Sequence, residues 1–192
     1  GYVASYYVRT LPNHPELELA GVYDQDQDTL QRFTEFYSVT AYSTFDEILN
    51  DPNVEIVANL TNPRSHYSVS KACLEAGKNV YSEKPLSVDL DEARALKALA
   101  EDRGLRLSSA PCNVLGEAAQ TMWKAIREGA VGPVRLVYAS MDDGMIPRSN
   151  YSNWRNEAGA PWPWKDEFEV GCTLEHAGYY LTWLATFFGP AK

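Results

Sequence analysis

Between residues 54 and 82 an apolar run, a helical segment and a second apolar run follow one another, and this unit constrains the fold more than any other stretch of the chain. The first run, 54–61, has the length and apolar density of a strand buried within a parallel sheet. A turn holding Asn62, Pro63, Arg64, Ser65 and His66 leads into helical spacing over 67–76, which stops at Gly77. The short run 78–82 then returns as a second strand. Parallel neighbours need such a crossover, because a tight turn joins only antiparallel strands.

The pattern recurs on both sides. Residues 1–11 read as a helix opening at Gly1 and broken by Pro12 and Pro15. Residues 17–22 are strand-like and end in Tyr23 and Asp24, 28–37 are helical, and 39–42 form a short strand. Thr44, followed by Asp46 and Glu47, has the hydroxyl and the acidic first turn of a helix start. A long amphipathic helix begins within 87–92 and runs to Arg103; Gly104 stops it, and 105–109 is a further strand. Strands and helices alternating in this way predict an α/β fold built on a doubly wound parallel sheet. Past Pro111 the character changes. A helix over 117–127, a strand over 134–140, a stretch rich in Trp, Pro and Asp up to Phe168, and a closing helix over 174–188 are expected. The chain therefore reads as two units, 1–111 and 112–192. Gly1 in place of methionine, and a stop just after Pro190, are expected of a fragment of a longer polypeptide whose first strand is missing.

Composition excludes several classes of function. The 192 residues are 45% hydrophobic and 22% charged, with no apolar run of membrane-spanning length and no signal peptide, which predicts a soluble cytoplasmic protein. A net charge of −9 argues against nucleic acid and anionic membranes as partners. Cys73, Cys112 and Cys172 are far apart and odd in number, so neither disulfides nor a metal site is expected.

Two features point to chemistry. Glu83-Lys84-Pro85 falls at the carboxyl end of the second strand, where open α/β sheets bind their ligands. An ammonium there can hold a hydroxyl, or the carbonyl oxygen it becomes, by a charge-assisted hydrogen bond. A lysine merely solvated at a strand end is the plainer alternative. At the start of the chain, Gly1, Tyr2, Val3 and Ala4 open a helix as the remainder of a Gly-x-Gly-x-x-Ala fingerprint would. Asp24 closes the next strand, where an acid accepts hydrogen bonds from the adenine-ribose diol; a turn role is its plainer reading. Gln25 and Asp26 follow, with no cation for a 2′-phosphate, so NAD is favoured over NADP.

Taken together these residues resemble the Gfo/Idh/MocA family of NAD(P)-dependent sugar and inositol oxidoreductases. The resemblance rests on 1–4, the Asp24 strand end, 61–66, 76–80, Glu83-Lys84-Pro85, 126–135 and 171–189, and so covers nearly the whole chain. It implies a Rossmann-type domain followed by the start of an open-sheet α/β domain for substrate binding and oligomerisation. It implies a homo-oligomeric dehydrogenase moving hydride between NAD(P) and a CH–OH group of a sugar, inositol or similar polyol. It places Gly1, Tyr2 and Val3 on the dinucleotide, Lys84 against substrate near the nicotinamide, and Thr61, Asn62, His66 and Glu83 around the nicotinamide ribose. The family often carries Asp-x-Gly-x-His on its active-site helix. Aligned on Gly178, this chain has His176 and Tyr180 instead, with tyrosine as in the glucose–fructose oxidoreductase and dihydrodiol dehydrogenase branches.

His176 and Tyr180 are four residues apart and share one helix face. With Thr173 as N-cap, His176 would lie in the first turn, where the helix dipole keeps an imidazole neutral. The expected catalytic set is Lys84, His176 and Tyr180, with Tyr180 taking the proton and Lys84, His176 and Arg155 touching substrate. The plainer reading of Tyr180 is a core position beside Leu181, Trp183, Leu184 and Phe187. Arg155, in an insert with Trp154, Trp162 and Trp164, forms a sugar-binding wall or belongs to a loop packed on itself. Two other functions suit the same fold: a non-catalytic dinucleotide-binding regulator and an NAD-dependent glycoside hydrolase.

Overall fold

Side-chain alternation along the strands decides which helices they meet. The computed structural model describes residues 1–141 and 144–190. In it β1 (Ile56–Asn59), β2 (Asn79–Ser82) and β3 (Leu107–Ser109) form a parallel sheet in the order β1-β2-β3. Val80 pairs with Val57 on one side and Leu107 on the other. The helices are α1 (Ala4–Thr10), α2 (Gln27–Tyr37), α3 (Phe45–Asn50), α4 (His66–Glu75), α5 (Leu90–Asp102), α6 (Glu117–Arg127), α7 (Trp164–Val170), α8 (Cys172–His176) and α9 (Gly178–Phe188). Val80 of β2 is buried with Cys73 and Leu74 of α4 and Leu96 and Ala100 of α5. Its neighbour Tyr81 points the other way and meets Tyr7 of α1, ring centroids 5.9 Å apart. Helices thus cover both faces, the doubly wound arrangement expected.

The helix starts follow local chemistry. Thr44 accepts the Glu47 N–H at 3.2 Å while the Glu47 carboxylate accepts the Ser43 N–H at 2.7 Å, a reciprocal cap for α3. Asp89 caps α5, accepting from the N–H groups of Asp91 and Glu92 at 2.8 and 3.0 Å. At the first helix Pro12 tightens the chain into a 3₁₀ turn, Leu11–Asn13, directly after α1.

Five expectations need correction. Residues 17–22 and 39–42 do not form strands: Val22 and Ala41 make one isolated parallel bridge, and Leu17 and Leu19 stay exposed. A strand needs a neighbour along its length, and these segments meet only at that bridge. Residues 134–140 likewise pair with no strand among the described residues, and Leu136 and Tyr138 are 87% and 89% exposed. The closing helix is two helices with their junction at Ala177. Gly178 is a weak helix former, and it packs its backbone against the Pro111 ring, where an added Cβ would lie 3.6 Å from Cδ. Gly171, at φ 85°, caps α8 instead of Thr173, so His176 ends a five-residue helix and the first-turn dipole argument lapses. Conversely α7 was not expected; its acidic first turn, Asp166 and Glu167 after Pro163, was the available signal, masked by the aromatic composition.

No helix among the described residues is long and apolar enough to cross a membrane. The three thiols are free, and the described residues hold no group of His, Cys, Asp or Glu placed for a metal ion.

Candidate active site

The carboxyl ends of β1 and β2 each lead into a loop, and one buried amide organises the first. Asn59, 2% exposed, donates through Nδ2 to His66 O at 3.0 Å and to Ser70 Oγ at 2.9 Å. Its Oδ1 accepts from the Thr61 hydroxyl at 2.7 Å and the Thr61 N–H at 3.3 Å. Residues 61–66 are thereby folded around a single side chain. The buried His66 ring joins this loop to the second, with Nδ1 2.6 Å from Pro85 O and Nε2 2.9 Å from Thr61 O. His66 accordingly acts on the site through the two loops it joins. Helix α7 clasps the same turn: Asn62 donates to Asp166 at 2.6 Å, and Arg64 pairs with Glu169 at 3.0 Å.

At the end of β2 the Glu83 carboxylate accepts the Tyr7 hydroxyl at 2.6 Å and the Lys84 N–H at 3.0 Å. Burial, and then this contact with Glu83, hold the Tyr7 phenol well above its ordinary range, so it stays a neutral donor. The Lys84 side chain is only 18% exposed, which removes the reading of a solvated strand-end lysine. Its ammonium is hydrogen-bonded to Glu175 and lies 3.8 Å from Glu167 Oε2. Burial disfavours the charged lysine, but the Glu175 hydrogen bond and the charges of Glu167 and Glu175 outweigh it and raise its pKa. Burial first, and then the Glu175 carboxyl, push Glu167 up to about 8, against the lowering effect of Lys84. Tyr179 lies near enough to feel the same charges, and burial raises it.

A raised carboxyl pKa has a consequence for stability. Because folding lifts Glu167 from 4.5 to about 8, its contribution is fully present below 4.5 and is lost as pH rises through 8. The melting temperature is expected to fall over that window, and Glu167→Gln to flatten the fall, as read by calorimetry at a series of pH values.

The other expected residues are distributed as follows. Gly1 and Asp24 come together, the Gly1 nitrogen 3.6 Å from Asp24 Oδ2, at the opening of α1. His176 is part-buried, with its ring 6.2 Å from that of Tyr179. Tyr180 is part-buried and held by its N–H on Ala177 O at 3.3 Å, and no side-chain hydrogen bond among the described residues joins it to Lys84. Arg155 is turned into its own loop, donating to Ser152 O and Trp154 O at 3.0 and 2.9 Å. The tryptophans there face one another and Tyr151, as in the packed-loop alternative; Trp154 and Trp162 are 5.2 Å apart and Tyr151 and Trp164 5.4 Å.

Sequence reasoning missed Tyr7, Glu167, Glu175 and Asn156. Asn156 Nδ2 donates to Tyr2 O at 2.9 Å and Ser5 Oγ at 2.8 Å, tying the tryptophan loop to the start of α1. Its place beside Arg155 in an otherwise polar turn carried no signal.

Asp24 thus lies beside the opening of α1, and Lys84 is largely buried at the end of β2. Residues 1–110 match a family model described as an oxidoreductase family with an NAD-binding Rossmann fold. The chain belongs to the Gfo/Idh/MocA oxidoreductase family. It is 28% identical to mouse trans-1,2-dihydrobenzene-1,2-diol dehydrogenase, over 100% of this chain and 55% of that protein. It is 29% identical to the Bacillus subtilis scyllo-inositol 2-dehydrogenase (NADP⁺) IolW, over 77% of this chain and 38% of the relative. The chain thus spans about half, or less, of the length of these curated relatives. Among solved structures, one from Desulfitobacterium hafniense superposes with a TM-score of 0.80 at 23% identity, covering 99% of this chain and 54% of the other. Biliverdin reductase from Synechocystis, solved with biliverdin and NADP⁺, gives 0.68 at 21% identity over 100% of this chain and 57% of its own. At those identities the structural likeness concerns the fold of the family.

Proposed function

We propose that the protein is an NAD-dependent dehydrogenase moving hydride between the nicotinamide and a CH–OH carbon of a sugar, inositol or similar polyol. The observation that carries this reading is the Lys84 ammonium, kept charged and largely out of water at the carboxyl end of β2. The residues present fit the dinucleotide. Gly1, Tyr2 and Val3 lead into α1, Asp24 stands beside Gly1 for the adenine ribose, and Thr61, Asn62 and Glu83 border the nicotinamide end on loops joined by His66. When bound, the nicotinamide supplies the hydride acceptor. Lys84 holds the substrate oxygen and binds it more strongly as negative charge develops on it, which is the differential binding that lowers a barrier. His176 orients the substrate from the end of α8. Tyr180, whose hydroxyl is not committed to Lys84, is one candidate for the proton. Two relatives are named for a diol and for an inositol, which supports vicinal polyols as the substrate class.

Preference for NAD rests on Asp24 with Gln25 and Asp26 behind it, although the Bacillus relative is named for NADP⁺. Asp24→Ser combined with Gln25→Arg removes a repulsion and adds a cation. The ratio of NADP to NAD affinity is expected to rise about ten- to a hundredfold, the worth of a charged hydrogen bond. An unchanged ratio by calorimetry would mean that Asp24 does not line the ribose. The activity itself is tested by mixing full-length protein and NAD with a panel of polyols and following reduced nicotinamide by absorbance. Binding of NAD without reduction on any of them would make the protein a dinucleotide-binding regulator instead.

A further inference from the structure

The carboxyl pair Glu167 and Glu175 beside Lys84 has no part in the reading so far. Glu175 is 2% exposed; Oε2 takes the Lys84 ammonium, while Oε1 is buried with no hydrogen-bond partner among the described residues. Glu167 approaches the same ammonium from α7, with Oε2 at 3.8 Å, and feels the Glu175 carboxyl directly. Two ionised carboxylates against one ammonium would leave an excess negative charge largely out of water. Glu83 does not relieve it, since its carboxyl is committed to Tyr7 and to the Lys84 N–H. Carboxyls so placed disfavour charge on one another, and burial together with the Glu175 carboxyl raises the pKa of Glu167. The elevation of Glu167 to about 8 agrees with this accounting.

We infer that Glu167, beside Glu175, exchanges the hydroxyl proton of the substrate oxygen held on Lys84. The inference rests on the dehydrogenase reading above. An oxygen that hydrogen-bonds Lys84 Nζ from the side facing α7 lies within reach of Glu167 Oε2, which is 3.8 Å from that nitrogen. In the oxidation, the C–H bond breaks and its electron pair leaves as hydride to the oxidised nicotinamide dinucleotide. The O–H proton passes to the Glu167 carboxylate, and the O–H electron pair becomes the second bond of C=O. In the reduction Glu167 returns the proton to the oxygen. With its pKa pushed up to about 8, Glu167 is a donor at neutrality and an acceptor above it. Oxidation therefore rises with pH through that value, and carbonyl reduction falls. The other titratable groups facing the pair are Lys84 and Glu83 from the end of β2 and Tyr179 from α9, with His176 against Tyr179. Lys84 and Tyr179 are both raised above their ordinary values and keep their protons across this window.

Infrared difference spectra over a pH titration read the Glu167 proton without substrate or cofactor. The protein should show a protonated-carboxyl stretch that disappears with a midpoint near 8, and Glu167→Gln should lack it. Absence of any carboxyl band titrating above pH 6 overturns the inference. Single-turnover nicotinamide reduction by the full-length protein then reads the proton's use. Glu167→Gln should slow it by about 10²–10⁴-fold and remove its rise with pH, as loss of a positioned acid–base group does. Tyr180→Phe should keep the rise. If Glu167→Gln retains both rate and pH profile while Tyr180→Phe loses them, Tyr180 is the acceptor and the inference fails alone. If the band titrates near 8 but no polyol is oxidised, the proton exchange falls together with the dehydrogenase reading.

Discussion

Lys84→Ala is expected to lower single-turnover hydride transfer by about 10²–10³-fold, the usual effect of removing one donor to a developing oxyanion. Lys84→Arg should fail as well. The ammonium sits as a compact charge between Glu175 and Glu167, and a planar guanidinium needs room for a fork there. The replacement also changes stability, because it leaves Glu175 and Glu167 without their cation. Removing one partner of a buried ion pair costs about 3–5 kcal/mol when the remaining charge stays uncompensated. Here the carboxyls can take up protons, so the loss should be smallest near pH 5 and grow toward pH 8. Denaturant titrations of Lys84→Ala at those two values read the stability, and stopped-flow absorbance reads the transfer. A variant that melts lower but transfers hydride at the parental rate would make Lys84 a structural residue.

Asn59→Ala is expected to cost about 2–4 kcal/mol, although it removes few atoms, because it strips partners from four polar groups at once. The His66 carbonyl and Ser70 hydroxyl lose the amide donor, and the Thr61 N–H and hydroxyl lose its acceptor. The damage should concentrate in residues 61–66, since the amide bonds both ends of that turn, at Thr61 and at His66. Amide exchange there should accelerate more than in α5, and NAD affinity should fall with it. A stability change below about 0.5 kcal/mol, within the range of ordinary surface substitutions, would mean that water replaces the amide.

What was legible in the sequence was local. The unit β1–α4–β2 followed from two apolar runs and Gly77, and the cap of α3 followed from Thr44, whose partner lies three residues away. Strands expected over 17–22 and 134–140 have strand composition but no neighbour along their length, and composition does not reveal a missing neighbour. The break at Ala177 was hidden by apolar spacing that continues across Gly178. At the site, Glu-Lys-Pro after a strand revealed Lys84, yet its partner Glu175 is 91 residues away and Tyr7 is 76 residues from Glu83. Such pairs are decided by how α1, α7 and α8 pack. The tryptophan loop shows the same limit at finer scale: Arg155 has the more suggestive chemistry, but its backbone turns that side chain inward and sends Asn156 to the start of α1.

A polyol bearing deuterium on its carbinol carbon, reacted once with NAD on the full-length protein, tests most directly whether Lys84 anchors a hydride transfer. The expected result is reduced nicotinamide carrying one deuterium from the parental protein, and about 10²–10³-fold slower labelling with Lys84→Ala. Equal labelling rates in the two proteins, or NAD bound with no deuterium transferred from any polyol, would contradict it.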